Sequence, residues 1–288
     1  MPFWTNYHSH CNYCDGSHEP EEYIKEAVNQ RIKCYGFSSH APLPFETPWA
    51  MPPEKLGRYL KETAFLKIKY QDLLQIYTGM EVDFIPGLIS PHSDFIRQAA
   101  LDYTIGSVHF VEQFGNGQFW EIDATAETFK KGLKEIFNNQ PETAIKQYYK
   151  LTRQMLKESP PTIVGHLDKI KMHNTKLKFF DEKASWYEKE VTKTLKALRK
   201  AGSILEVNTR GVYTGRTFEV YPSPKVLKRA AELEIPITLS SDAHQPTEVA
   251  ALFAKTVPML KKVGFKKLHI LWDGQWQACT YHEKGIEI

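Results

Sequence analysis

The sequence has few cysteines and no long apolar run. Its four cysteines among 288 residues are Cys11, Cys14, Cys34 and Cys279. Their spacing excludes the regular disulfide framework of a small secreted protein. Cys11 and Cys14 form a C-x-x-C pair, but a zinc ribbon needs a second such pair, so we expect partly buried thiols with no metal or redox role.

No segment approaches the roughly 18 consecutive apolar residues of a membrane helix. The first residues also lack the basic and apolar regions of a secretory signal peptide. We therefore expect a cytoplasmic protein that does not associate with membranes.

The charge is nearly balanced, with 37 Lys and Arg against 34 Asp and Glu and a formal net charge of +3. A surplus this small and this dispersed argues against a dedicated nucleic-acid binder, although a local pocket for a small anion is compatible with it. The apolar fraction of 42% and the 17 prolines are ordinary for a globular protein and exclude disordered and collagen-like classes. Because α/β barrels often exceed 200 residues and no linker divides the chain, we predict one domain over residues 1–288.

Short apolar or β-branched segments alternate with longer helical patterns, which is typical of βα units around a parallel sheet. Seven segments are predicted strands: residues 3–10, 34–40, 75–83, 103–109, 162–166, 203–208 and 237–244. Six are predicted helices: residues 20–31, 53–74, 126–157, 182–201, 223–233 and 247–263. Residues 267–272 are either an eighth strand or a closing segment. The pattern predicts an α/β protein with a TIM-like barrel.

Three stretches lack a regular pattern: residues 41–53, which hold five prolines, 110–123 and 209–224. Each follows the end of a predicted strand. In a βα barrel such loops surround the active site, so we expect them to form the walls of a pocket.

Imidazole and carboxylate side chains are concentrated at the ends of the predicted strands. These are His8, His10, His40, Glu81, His109, His166, Asp242 and His244. The strand ends of a closed parallel barrel meet at one rim, and so many polar groups there need a compensating charge. Metal ions supply it, and nitrogen with oxygen ligands suits Zn, Fe or Mn. Because this set exceeds the ligands of one catalytic ion, we predict two or three divalent ions.

The strand-end motifs resemble those of the polymerase and histidinol phosphatase (PHP) family, and specifically its stand-alone histidinol-phosphatase branch. The motifs that carry the resemblance occur in order along most of the chain: His8-Ser9-His10, Cys14-Asp15-Gly16, Ser39-His40, Gly79-Met80-Glu81, Gly106-Ser107-Val108-His109, Gly165-His166-Leu167-Asp168 and Ser241-Asp242-Ala243-His244. The resemblance implies a distorted (β/α)7 barrel with a trinuclear metal site at the C-terminal ends of the strands. The seven predicted strands agree with it.

The resemblance also implies how the ligands are divided among the ions. One ion takes His8, His10, Glu81 and Asp242, and Glu81 bridges to a second held by His109 and His166. The third takes His40, His244 and one group from residues 15–18. Family members carry a His soon after the H-x-H motif, whereas here Asp15 fits that place better and leaves His18 to face the substrate. Both assignments stay open.

The activity implied is hydrolysis of L-histidinol phosphate, in histidine biosynthesis, by a metal-activated hydroxide. Arg210, just beyond the sixth strand, has the forked donors that fit phosphate. His18, Glu19, Glu206 and Tyr213 are weaker candidates for contacting the substrate. Asp242 or His244 would protonate the leaving alkoxide through a water.

Three alternatives remain. The nearest is a PHP phosphoesterase acting on another small phosphate ester or a nucleotide. A second is a metal-stabilised binding protein without catalysis. The third is an amidohydrolase-type barrel, which commonly uses a ligating lysine, and no lysine ends a predicted strand in the needed place.

Overall fold

The computed structural model describes residues 1–288, and seven parallel strands form its central sheet. The twelve strands of the chain, in order, are β1 (Trp4–Asn6), β2 (Ile32–Phe37), β3 (Gln75–Asp83), β4 (Tyr103–Ser107), β5 (Phe110–Gln113), β6 (Phe119–Glu121), β7 (Ile163–Val164), β8 (Ile204–Asn208), β9 (Ile237–Ser240), β10 (Lys267–Trp272), β11 (Gln275–His282) and β12 (Gly285–Glu287). The central sheet runs β1-β2-β3-β4-β7-β8-β9.

The first and last strands of this sheet meet and nearly close it into a barrel. Ser9 pairs in parallel with Ala243 just beyond the ends of β1 and β9. The His10 amide donates to the Ala243 carbonyl at 2.7 Å, and the Ala243 amide donates to the His8 carbonyl at 3.2 Å. The predicted seven-stranded TIM-like barrel is therefore confirmed.

Helices connect the strands and cover the barrel. They are α1 (Pro20–Asn29), α2 (Leu56–Lys69), α3 (Asp94–Gln98), α4 (Ala126–Glu135), α5 (Pro141–Glu158), α6 (Asn174–Leu177), α7 (Ser185–Ala201), α8 (Arg210–Tyr213), α9 (Pro224–Glu232) and α10 (Phe253–Val263), with 3-10 turns at Pro53–Lys55, Lys169–Lys171 and Pro246–Glu248. None is long and apolar enough to span a membrane. The single helix predicted over residues 126–157 is wrong, because Asn138 and Asn139 adopt positive φ angles and Pro141 starts a new helix.

The segment 267–272 is a strand, but it does not join the barrel. As β10 it pairs with β11 in a separate antiparallel sheet of three strands. Tyr7 ties this sheet to the barrel, because its hydroxyl accepts from the Leu271 amide at 2.8 Å and lies 3.2 Å from the Leu271 carbonyl. Residues 267–272 were predicted to be either an eighth barrel strand or a closing segment, and the structure shows a closing segment.

Two further differences from the predicted elements concern the mouth of the barrel. Strands β1, β2 and β9 end three or four residues earlier than predicted, so most of the polar residues lie just beyond the strands. The stretch 110–123 holds the antiparallel hairpin β5–β6 instead of an irregular loop. Both differences place polar side chains on short segments that converge over the barrel.

Candidate metal centre

Glu81 lies at the centre of the polar cluster predicted from the strand ends. Its Oε2 is 3.1 Å from Nδ1 of His40, 3.2 Å from Nε2 of His8 and 3.5 Å from Nε2 of His10. Its Oε1 is 2.9 Å from Nε2 of His166 and 3.6 Å from Nε2 of His109. The two carboxylate oxygens therefore face two different groups of imidazoles.

A second carboxylate, Asp242, lies on the other side of the first group. Its Oδ1 is 3.2 Å from Nε2 of His10 and 3.6 Å from Nε2 of His8. Asp242 adopts a left-handed φ of 56°, which is uncommon for a residue with a side chain and is held here by the closure of β1 against β9.

Asp15 and His244 complete a third group next to His10 and His40. Oδ2 of Asp15 is 3.1 Å from Nε2 of His244, and its Oδ1 is 3.7 Å from Nδ1 of His10 and 3.9 Å from Nε2 of His40. His18 is exposed and contacts the Ser17 hydroxyl instead. Of the two residues left open by the sequence, the structure brings Asp15 into the cluster.

The donor set fits divalent metal ions. Groups of ligand atoms lie within 4.8 Å of one another in the sets His8–His10–Asp242, Glu81–His109–His166, His10–Asp15–His40–His244 and His40–Asp83–His109. Nε2 of His10 and Nδ1 of His40 are buried without a hydrogen-bond partner. Unpaired imidazole nitrogens beside carboxylates are costly to bury, and a bound cation would satisfy them.

Further carboxylates hold the imidazoles in place. Glu206 Oε1 lies 2.5 Å from Nδ1 of His8, and Asp83 Oδ1 lies 3.0 Å from Nδ1 of His109. Such contacts fix the tautomer, leaving Nε2 free as a ligand atom. Glu206 is fully buried and its Oε2 also accepts from the His166 amide at 2.7 Å. Its predicted contact with substrate is therefore wrong, because no part of the carboxylate reaches the cleft.

Burial and neighbouring charge shift the ionisation of these groups strongly. Burial, reinforced by His244, lowers the pKa of His10 to about 4, and burial lowers the pKa of His40 to about 3. Burial opposes the charged form of Glu81, yet His40, His8 and His109 hold the pKa of that carboxyl well below its usual range. His10 and His40 are thus neutral and Glu81 is ionised, which are the forms that bind metals.

The residues predicted to contact substrate are placed very differently. Arg210 lines the cleft above the metal cluster, and its Nη1 donates to the Asp242 carbonyl at 2.9 Å. Tyr213 lies behind Arg210, where its hydroxyl is 3.0 Å from the Ser241 carbonyl. Glu19 is exposed and accepts from the Asn12 amide, outside the cleft. The structure therefore brings Arg210 to the site but not Tyr213 or Glu19.

Five further residues line the same cleft, and four of them lie in the three stretches predicted to form its walls. They are Trp49, Glu121, Asp123, Lys169 and Arg216. Trp49 packs its ring 4.5 Å from that of His40 and 5.7 Å from that of His109, measured between centroids. Each of the five residues lies in a loop, hairpin or turn beyond a strand. Lys169, three residues after His166, is the one of the five that lies outside the predicted walls.

Comparisons with known proteins agree with this architecture. The family model described as PHP domain matches residues 6–210. The histidinol-phosphatase of Bacillus subtilis is 30% identical over 258 residues, covering 84% of this chain and 94% of that protein.

Two solved structures share the fold. The histidinol phosphate phosphatase of Lactococcus lactis, in complex with zinc, L-histidinol and phosphate, superposes with a TM-score of 0.71 at 21% identity and covers 99% of both chains. A crystal structure of a protein from Listeria monocytogenes superposes with a TM-score of 0.74 at 24% identity, covering 87% of this chain and 99% of that one. The chain therefore belongs to the PHP domain family, in its histidinol-phosphatase branch.

Proposed function

We propose that this protein hydrolyses L-histidinol phosphate to L-histidinol and phosphate in histidine biosynthesis. The observation that carries the proposal is the convergence of five imidazoles on the two oxygens of Glu81, at the floor of a cleft that also holds Arg210. Relatives named for this activity span most of the chain, and one binds zinc, L-histidinol and phosphate together.

We propose two or three divalent ions, of zinc, iron or manganese, because the four groups of ligand atoms overlap, with His10, His40 and His109 each belonging to two of them. The proposed ligands are His8, His10, Asp15, His40, Glu81, His109, His166, Asp242 and His244. Ions bound there would lower the pKa of a water and bind phosphate oxygens. Glu206 and Asp83 keep the Nε2 atoms of His8 and His109 directed at these positions.

Arg210 is proposed to bind the phosphate. Its guanidinium lines the cleft and is anchored through the Asp242 carbonyl, which places a fixed positive charge next to the ligand cluster. In-line displacement spreads negative charge over the phosphate oxygens, and a fixed cation stabilises that charge. Asp242 or His244, both in the cleft wall, would deliver a proton to the leaving alkoxide through a water.

The leaving group is proposed to lie between Trp49, Glu121 and Asp123. Oδ1 of Asp123 is buried without a hydrogen-bond partner, as is Nε1 of Trp49. A free carboxylate oxygen suits the ammonium of L-histidinol, and the indole offers a flat surface and a donor to its imidazole ring. A nucleotide carries no such cation, so these acids favour an amino-alcohol phosphate over the rival substrate class.

The direct test is release of phosphate from L-histidinol phosphate by metal-reconstituted protein, compared with a nucleoside monophosphate and a simple sugar phosphate. We expect a preference for L-histidinol phosphate in kcat/KM and loss of turnover after treatment with a chelator. Equal turnover of all three esters would contradict the proposed substrate, and full activity after verified metal removal would contradict the metal-dependent reaction.

We also propose that residues 1–288 act as one domain. The C-terminal sheet returns to the start of the chain, where the Ile286 amide donates to the Phe3 carbonyl at 2.7 Å. Limited proteolysis should therefore release no stable fragment that retains the barrel without residues 267–288.

A further inference from the structure

Lys169 lines the metal cleft. It lies three residues beyond His166, in the 3-10 turn Lys169–Lys171, and its side chain is 11% exposed. Its Nζ lies 2.7 Å from Oδ2 of Asp123 and 3.4 Å from Nε2 of His109. Since that ring nitrogen is a proposed ligand atom, the ammonium lies beside the metal centre and not in solvent.

A comparison with Lys171 shows that the ammonium of Lys169 is under-paired. The side chain of Lys171 is more buried, at 6% exposed, and its Nζ has three carboxylates within reach: Asp168 at 3.4 Å, Glu182 at 3.2 Å and Glu219 at 3.4 Å. Lys169 has a single carboxylate, that of Asp123. Because an ammonium carries three N–H donors, Lys169 retains donors that Asp123 does not take.

The charges around Lys169 favour binding of an anion. A buried ammonium next to metal ions is repelled by them unless negative charge lies between. A phosphate group bound at the centre would provide that charge and accept the remaining donors. Arg210 approaches the same cleft from beyond β8, whereas Lys169 approaches from beyond β7, so the two cations line one cleft from adjacent strand ends.

We propose that Lys169 is a further catalytic residue, which donates hydrogen bonds to the phosphate oxygens of the phosphomonoester, and that Asp123 is its positioning residue. The proposal rests on the proposed function, because it takes phosphate to bind at the metal centre. Lys169 stabilises the charge that builds up on the phosphate oxygens during displacement. The alternative is that Lys169 only neutralises the buried charge of Asp123.

The test compares metal-loaded wild type with Lys169→Met, Lys169→Arg and the matched control Lys171→Met, after equal metal content has been verified. Binding of inorganic phosphate is measured by calorimetry, and kcat/KM is measured with L-histidinol phosphate. We expect Lys169→Met to weaken phosphate binding and lower kcat/KM on the order of tenfold to a hundredfold, since a hydrogen bond to a charged group is lost. Lys169→Arg should retain more phosphate affinity, and Lys171→Met should lose thermal stability but keep wild-type affinity.

Wild-type phosphate affinity in Lys169→Met would overturn the proposal and leave Lys169 a counter-ion. If that variant does not fold, Lys169→Gln, which keeps a long polar side chain without the charge, is measured in its place with the same expectation. A failure of the proposed function would give a different result. Wild type would bind phosphate and Lys169→Met would still bind it more weakly, but wild type would not hydrolyse L-histidinol phosphate.

Discussion

Glu206 Oε1 lies 2.5 Å from Nδ1 of His8, and both side chains are completely buried inside the mouth of the barrel. The other oxygen of Glu206 accepts from the His166 amide and from the side-chain amide of Asn208. One carboxylate thus fixes the ring of His8 and the backbone of a second proposed ligand.

Replacing Glu206 with Gln should therefore weaken metal binding. The neutral amide would remove the negative charge that orients the ring of His8. Its NH2 group would also face either that ring or the two amide groups that now donate to Oε2. We expect metal affinity to fall on the order of 10- to 100-fold, as for other carboxylates that orient a ligating histidine. Metal titration of the metal-free protein measures it.

Glu190→Gln is the matched control, because Glu190 is also buried but lies on α7, away from the cleft, where it pairs with Lys193 and with Arg153 of α5. It should leave metal affinity unchanged. Equal metal affinity in Glu206→Gln and wild type would refute the positioning role of Glu206.

Metal uptake near pH 7 should release protons, mainly from His109 and His8. Burial favours the neutral ring of His109, but Asp83 overcomes this and raises its pKa to about 9. The pKa of His8 is also raised, because Glu206 and Asp242 outweigh burial. Both rings are therefore protonated at pH 7 without metal and must lose a proton to bind an ion through Nε2.

His10 and His40, with pKa values of about 4 and about 3, are already neutral and should release none. Calorimetry in buffers of different ionisation enthalpy measures the number of protons released. Affinity should rise with pH between 6 and 8, because protons compete less with the metal. A pH-independent affinity with no proton release would contradict these protonation states.

Glu121→Gln should reduce selectivity for a substrate that carries an ammonium group. Burial and the neighbouring Asp123 raise the pKa of Glu121, a sign that these two acids lie close together in the cleft wall. We expect KM for L-histidinol phosphate to rise about tenfold, corresponding to the loss of one charge-assisted hydrogen bond. A phosphate ester without an amine should show little change, as should the exposed hairpin variant Glu112→Gln with either ester. Parallel losses on both esters would contradict a contact with the ammonium.

Gly16→Ala should disturb the turn that carries Asp15. A Cβ at Gly16 would lie 2.3 Å from the backbone carbonyl carbon and oxygen of His10, so the turn would have to move away from the metal cluster. We expect a loss of about 1–3 kcal/mol in the free energy of unfolding and weaker binding of an ion. Gly57→Ala in α2 meets nothing within 4 Å and should not lower stability. Thermal or denaturant unfolding compares the two variants, and equal stabilities would contradict the crowding at Gly16.

The strand-end residues could be predicted from the sequence because their position depends only on topology. Parallel strands of a barrel deliver their C-terminal ends to one rim, so His8, Glu81 and Asp242 meet there although they are far apart in the chain. The number of barrel strands followed from the same alternation.

The stretches that form the cleft walls were predicted, but the individual side chains that face the cleft could not be identified in the same way. Lys169 reaches the site from a 3-10 turn outside the predicted walls, and Glu121 from a hairpin strand in a stretch predicted to be irregular. Glu206 was assigned to the substrate because alternation along β8 does not reveal which side chains pack beneath the metal ligands. Those placements depend on tertiary packing, which a local pattern does not encode.

The pairing of Ser9 with Ala243 has a consequence for how the protein matures. Two of the proposed ligands, Asp242 and His244, are translated more than 230 residues after His8, yet they sit beside it. A nascent chain still held by the ribosome short of this point lacks part of the coordination sphere. Capture of the full complement of ions must therefore wait until the chain has been synthesised through His244, and premature termination upstream of β9 would yield a product that cannot assemble the site.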